Sequence, residues 1–300
     1  MKAFPIGANL PWLAYGDFGA NAWQPEGGVR TRLEALSRAL DRVAAAGIRQ
    51  IRWFMLCDGR AGILFAADGT PLGLDDWFFA DVDAAIDAAA DRDIEIMFVL
   101  LDFLWCDHAR TEAGVQLGGR CDVLRDGAIR AALLDRVLTP ILERYGRNAH
   151  VFAWDIINEP EWVMCGVGAA RRRPCVGVDA MRAFVGDAAA LVHRYTAHEV
   201  TVGSASTPWL RTWLGLGLDF YQTHWYRQLE SRSPLATPVS ELGLDRPVVL
   251  GEFPSRVAPA ELQRILDTAR AAGYSAAFLW SVLADDVETD FAAAEMALRP

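Results

Sequence analysis

Lysine is all but missing from this chain of 300 residues. Lys2 is the only one, and arginine supplies the rest of the basic charge. A barrel enzyme that works through a Schiff base needs a lysine in its site, and Lys2 stands outside any candidate site, so that chemistry is excluded. Basic charge is clustered only at Arg171-Arg172-Arg173, within a net charge of −10. Nucleic-acid binding needs a basic stripe, and there is none. Long apolar runs are missing as well. No segment approaches the roughly 18 uninterrupted apolar residues of a membrane span. Cysteine is sparse and odd in number, with five residues at Cys57, Cys106, Cys121, Cys165 and Cys175. They form no CxxC pair and no zinc spacing, so thiols are the default reading. Cys106/Cys121 and Cys165/Cys175 could each close a loop in an oxidising compartment. The start, Met1-Lys2-Ala3, runs directly into Pro5-Ile6-Gly7-Ala8-Asn9-Leu10 without the cleavage-site pattern of a secretory leader. A cytoplasmic location is the expectation.

What the chain does contain is an alternation of strands and helices. Val29, Leu33, Leu36, Leu40 and Val43 step by four, three, four and three, one apolar stripe of a helix that Gly47 ends. Similar stripes run through Phe78–Ala89, Ile129–Ile141, Met181–Val192 and Leu262–Ala269, with weaker helical patterns near Pro208–Leu216 and Phe291–Leu298. Between them lie apolar runs of strand length. They are Ile6–Leu10, Ile48–Phe54, Ile94–Leu101, Val151–Ile157, Val200–Gly203, Asp219–Tyr226, Val248–Glu252 and Ala276–Ser281. Ile94–Leu101 is apolar throughout, as a strand covered on both faces must be.

Eight strands alternating with helices predict an α/β fold, a single-domain (β/α)8 TIM barrel over residues 1–300. A doubly wound open sheet is the alternative. It is marked by a Gly-rich turn after the first strand, and Gly7-Ala8-Asn9-Leu10-Pro11-Trp12 is not one. Helix-to-strand connections are short, whereas Asp102 to Asp126, Pro160 to Val178 and Arg227 to Asp245 are long strand-to-helix connections. In a barrel these long loops share the C-terminal face, where active sites sit. All five cysteines and most of the isolated tryptophans fall on that side. No repeat, low-complexity run or linker divides the chain.

Two glutamates stand at strand ends on that face: Glu159 in "WDIINEPEW" and Glu252 in "RPVVLGEFPS". A single such residue could simply cap the sheet. Two, on strands facing each other across one mouth, point to chemistry. Cleaving a glycosidic bond needs one carboxylic acid to protonate the leaving oxygen and one carboxylate to attack or to activate water. The two need different surroundings, so that one stays protonated near neutral pH. Asp102 closes the third strand in "FVLLDF". Trp105, Trp162 and Trp225 lie on the same side, where one or two of the three could line sugar subsites by apolar stacking. Glu161 is expected to make a structural ion pair.

These motifs, in this order along the strands, resemble the retaining glycoside hydrolases of clan A, closest to family 5, the cellulase and mannanase group. The match extends across nearly the whole barrel. "WDIINEP" ends the fourth strand and "GEF" the seventh. Arg52 in "IRQIRWF" ends the second, His224 and Tyr226 in "QTHWY" the sixth, and Trp280 in "FLWS" the eighth. The resemblance implies Glu159 as acid/base and Glu252 as nucleophile of a β-glycoside hydrolase acting by double displacement. It implies that Asn158 binds the sugar 2-hydroxyl, that Arg52 and Tyr226 hold Glu252 ionised, and that His224 sits between substrate and acid/base. Trp280 would stack on a sugar, with a cis peptide bond after it. The family commonly has a histidine near the end of the third strand. Here Asp102 stands there, either as a substrate contact in its place or as a structural residue. No metal or organic cofactor is implied. The expected partner is a carbohydrate, with no nucleic acid and no membrane, and the chain is expected to be a monomer. Mannan, glucan, xylan-type and glycolipid substrates all fit. Transglycosylation at the same site, or a non-catalytic carbohydrate-binding barrel, are the alternatives.

Overall fold

The computed structural model describes residues 4–166 and 176–298. Eight strands close into an all-parallel barrel, β1 Ile6–Asn9, β2 Gln50–Phe54, β3 Glu95–Asp102, β4 Val151–Asn158, β5 Glu199–Ser204, β6 Tyr221–His224, β7 Val248–Pro254 and β8 Ala277–Trp280. Each pairs with its neighbours in sequence, and β1 closes the ring by pairing with both β2 and β8. Parallel strands need crossovers, and the helices supply them on the outside. Leu33–Ala45 follows β1, Phe78–Ala90 follows β2, Val178–Tyr195 follows β4 and Pro259–Ala272 follows β7. Strand runs with branched and aromatic residues bury Ile51, Trp53, Phe98, Trp154 and Ile156 outward under the helices, in one continuous core.

The interior of the barrel is layered. Met97, Ala153, Val249 and Phe278 pack as a small apolar plug at the N-terminal end. Above it lies a polar layer, described below. Above that, Phe54 and Val99 pack with Cys57 under Trp280 and Tyr15. An inward polar layer needs space, and Gly203 provides it. A Cβ there would stand 2.8 Å from Arg52 Nη2 and 2.9 Å from Asp155 Oδ2, so a larger residue would displace the charges.

The elements differ from the expected ones in four places. Leu33 is 46% exposed and Ala39 joins the buried stripe instead. Pro208–Leu216 is no α-helix but a 3-10 run over Thr207–Trp213. The stripe Ile129–Ile141 is broken by a π segment at Leu134–Leu138. Pro140 has no N–H to offer Arg136, and the ladder widens so that Thr139 N–H and Oγ1 both go to Leu134 O. The long loops also carry two antiparallel hairpins, Ile63–Phe65 with Pro71–Leu74 and Arg110–Glu112 with Val115–Leu117. Their strands are only three or four residues long, too short for a periodicity to register.

Cys57 and Cys106 carry buried thiols, and Cys121 lies against Cys106 without a disulfide, its Sγ 3.8 Å from the Cys106 carbonyl oxygen. Cys165 is disulfide-bonded. Cys175 of the expected Cys165/Cys175 pair lies outside the described residues. No helix among the described residues is long and apolar enough to cross a membrane.

Candidate active site

The site rests on one arginine. Arg52 is fully buried near the end of β2, an expensive place for a charge unless every donor is used. Its Nε donates to Asp155 Oδ2 (2.9 Å), Nη1 to Glu252 Oε1 (2.7 Å) and to Asn9 Oδ1 (3.0 Å), and Nη2 to Asn158 Oδ1 (2.7 Å). Asp155 is its second ion-pair partner, 2.8 Å from Nη2. It is also fully buried, and accepts from Gln222 Nε2 at 2.6 Å and Gly203 N–H at 2.9 Å. Burial works against the Arg52 charge, but Asp155 and Glu252 outweigh it and raise its pKa, so it stays a cation. Asn9, Asp155 and Gln222 were not identified from the sequence. Their signal was there: polar residues facing inward in strands that are otherwise buried, "GANL", "AWDII" and "FYQTH".

Glu252 lies near the end of β7 and is 4% exposed. Arg52 holds one of its oxygens, and Tyr226 O–H donates to the other at 2.7 Å. Burial pushes its carboxyl up, and the Arg52 guanidinium and the Tyr226 O–H oppose that push. Burial and the neighbouring carboxylates keep the Tyr226 phenol protonated, hence a donor.

Glu159 follows β4 directly. It sits in the left-handed region at φ 44°, where non-glycine residues are strained, and its N–H is tied to Gly203 O at 2.6 Å. Its oxygens meet weaker partners. Oε1 lies 2.8 Å from His224 Nδ1, and Oε2 accepts from Trp162 Nε1 at 2.7 Å. Burial dominates and pushes its carboxyl up to about 7, although the side chain remains 16% exposed to the cavity. His224 is fully buried and its pKa is pushed down to about 4, chiefly by that burial, so it is neutral. One oxygen of each glutamate and one His224 nitrogen all lie within 4.8 Å of one another. By distance alone this trio could hold a metal ion, but the guanidinium of Arg52 and the indole N–H of Trp162 already occupy oxygens that a cation would claim.

Above the pair is a cavity of about 300 Å³, lined by Asp102, Asn158, Glu159, Tyr226, Glu252 and Trp280, and walled by Trp12, Tyr15 and Phe54. That is at the lower end of small-molecule sites, roughly 300–1,000 Å³. Asp17 holds the aromatic wall in place. It accepts from Leu13 N–H (2.7 Å), Ala14 N–H (3.0 Å) and Trp53 Nε1 (2.9 Å), fixing the loop that carries Trp12 and Tyr15. Trp280 stands across from Trp12 with ring centroids 6.1 Å apart. Its Nε1 donates to Asp286 Oδ2 at 2.8 Å, and the bond to Ser281 is cis.

Several expected site residues are placed differently. His224 does not face the cavity but lies beneath it, between the two carboxylates, 3.5 Å from Glu252. Trp105 is fully buried against Phe65, so it is core and not a stacking surface. Trp225 is 8% exposed and tied to Glu230 at 2.6 Å, away from the cavity lining. Trp162 is 39% exposed and reaches Glu159 directly. Asp102 lines the cavity, yet both its oxygens are engaged, one by Leu104 N–H and one by Asn158 Nδ2, each at 2.8 Å. It orients Asn158, whose amide then has one N–H left for a ligand. Burial pushes the Asp102 carboxyl up to about 7. Glu161 makes no ion pair among the described residues. It accepts from Ser204 Oγ at 2.6 Å and Ala205 N–H at 3.1 Å, latching the turn after Glu159 to the end of β5.

No family model matches the sequence. The chain is 25% identical, over 93% of its length, to a mannan endo-1,4-beta-mannosidase of Mytilus edulis, of which it covers 83%. Its fold superposes on an endo-1,4-beta-mannanase from Eisenia fetida with a TM-score of 0.82 and 23% identity, covering 99% of this chain and 90% of that one. A beta-1,4-D-mannanase from Cryptopygus antarcticus gives a TM-score of 0.81 at 19% identity, again with 99% and 90% coverage. The (β/α)8 fold is therefore shared with these structures. The resemblance that the motifs imply, to retaining glycoside hydrolases of the family 5 type, is borne out by the relatives.

Proposed function

We propose that this protein hydrolyses β-1,4-linked mannan-type glycans with retention of configuration, with Glu252 as nucleophile and Glu159 as acid/base. The observation that carries the mechanism is the spacing of the two carboxylates. Retaining enzymes keep the groups about 5–5.5 Å apart, whereas inverting ones separate them by about 6.5–9.5 Å to admit a water. Here an oxygen of each lies within 4.8 Å of the other, the close approach that favours the retaining arrangement.

The surroundings assign the roles. Glu252, between a guanidinium and a phenol O–H, is favoured as the anion that attacks the anomeric carbon. Glu159, with its carboxyl near 7, is protonated often enough at neutral pH to act as an acid. In the first step the Glu159 proton passes to the glycosidic oxygen as the C1–O bond breaks. Glu252 forms a bond to C1 from the opposite face. In the second step Glu159, now a carboxylate, takes a proton from water. The water oxygen bonds to C1 and the Glu252–C1 bond breaks, restoring both groups. Arg52 keeps its place throughout because Asp155 balances it when Glu252 is esterified. The mannan preference rests on the Mytilus edulis relative's activity as named.

The test is the anomer released first. Proton NMR of the reaction on a β-1,4-mannooligosaccharide should show the β-anomer before mutarotation. An α-anomer appearing first overturns the mechanism, and cleavage of other β-glycans but not mannan overturns the substrate.

A further inference from the structure

Four acids line the catalytic cavity: Asp102, Glu159, Glu252 and Glu288. Three have both carboxylate oxygens engaged by protein donors. Glu288 differs. Among the described residues its carboxylate has no hydrogen bond and no ion pair, although the residue is half-buried. Gln228, in the short turn after Tyr226, lines the same cavity, and among the described residues its amide has no hydrogen-bond partner either.

The Glu288 backbone, by contrast, is fastened. Its N–H donates to Asp286 Oδ1 at 2.9 Å, and its carbonyl oxygen accepts from Ser255 N–H at 3.0 Å and Arg256 N–H at 2.8 Å. Asp286 holds Trp280 Nε1 with its other oxygen, and Asp290 N–H donates to Ser255 Oγ at 2.9 Å. The loop after β8 is thus strapped to the residues following β7 at Glu288 and Asp290, and to Trp280 of β8 at Asp286. A solvated surface acid needs no such support. A binding group does, because a contact held rigid before the ligand arrives loses little freedom on binding.

We propose that Glu288 is a substrate-binding, specificity-determining residue that accepts hydrogen bonds from sugar hydroxyls on the Trp280 side of the cavity, with Gln228 as its neighbour. An ionised carboxylate only accepts. Its ligand must therefore donate, and two adjacent hydroxyls of a pyranose match its two oxygens. This assignment rests on the glycan-hydrolase reading of the site and adds a contact that the two-carboxylate chemistry does not use.

The experiment compares wild type, Glu288→Ala and Glu288→Gln on β-1,4-mannooligosaccharides, measuring kcat and KM separately, with thermal melting as the control for folding. A contact present equally in the bound and transition states appears in KM. Glu288→Ala should raise KM about 10-fold or more, the effect of losing hydrogen bonds to a charged group, with kcat within about threefold of wild type. Glu288→Gln, which keeps one acceptor and the shape, should recover part of the loss, and it carries the test if the alanine variant does not fold. An unchanged KM in both variants, or a fall in kcat with KM unchanged, overturns the assignment. If the wild type leaves mannan intact but cleaves another β-glycan, the substrate reading fails and the Glu288 test is run on that glycan. If it cleaves none, both fall.

Discussion

Glu252 and Glu159 are the same residue type, at the same rim, on strands three apart, and both are largely buried. Their neighbourhoods differ. Glu252 meets a cation and a phenol O–H at 2.7 Å each. Glu159 meets a neutral imidazole and one indole N–H, with no cation bonded to it. Burial raises both. Only around Glu252 is there a direct positive charge to offset it. A barrel rim therefore makes a base and an acid from one side chain by choosing which carboxylate receives the arginine.

Removing the nucleophile breaks that contrast most severely. Glu252→Ala should lower kcat on any cleaved glycan by about 10⁴-fold or more. Added azide should attack from the vacated face and give the α-glycosyl azide, identified by NMR. Glu159→Gln comes next. It should cost about 10²–10⁴-fold on a natural glycan and far less in the first step with an aryl leaving group that needs no proton. Equal losses from both variants on an aryl β-glycoside would mean that the two glutamates do not have separate roles.

Arg52→Met tests whether the cation, and not the position in the barrel, makes Glu252 the anion. It strands Asp155 in the interior without its partner, at a cost of about 3–5 kcal/mol in unfolding free energy, measurable by urea denaturation. The double variant Arg52→Met with Asp155→Asn should recover part of that stability without recovering activity, because Glu252 still lacks its counter-charge. Recovery of activity in the double variant would show that Arg52 serves the fold alone.

How much of this was legible in the sequence follows from range. The barrel could be read because apolar stripes and runs are local, and burial on both faces leaves its mark inside each segment, as in β3. The catalytic pair could be read because strand ends are local too, and strand order then places β4 opposite β7. Trp105 and Trp225 could not be sorted from Trp280 in the same way. All three are tryptophans near the same face, and only packing decides which turns inward, as when Phe65 covers Trp105. Asp155 was visible as a charge in a strand but had no stated purpose until Arg52 was found against it, 103 residues earlier. The ion pair expected for Glu161 rested on charge alone. The structure satisfies that carboxyl instead with a hydroxyl and a backbone N–H from β5. The Glu288 carboxylate gave no local signal at all, since its loop has neither period nor motif.

The smallest expected effect separates the two neighbourhoods most finely. In kcat/KM against pH, the basic limb reports loss of the Glu159 proton, near pH 7, and the acidic limb reports protonation of Glu252. Trp162 N–H bonds to the Glu159 carboxylate and favours its charged form, so it lowers that pKa. Trp162→Phe removes the donor, the carboxyl holds its proton to higher pH, and the basic limb should move up by about one unit or less. Tyr226 O–H does the same for Glu252. Tyr226→Phe should therefore move the acidic limb up, narrowing the profile from its acid side, while the basic limb stays in place. Each substitution acts on one limb only if each carboxylate owns one limb. If Trp162→Phe moves the acidic limb, or Tyr226→Phe the basic one, the acid and the nucleophile have been assigned the wrong way round.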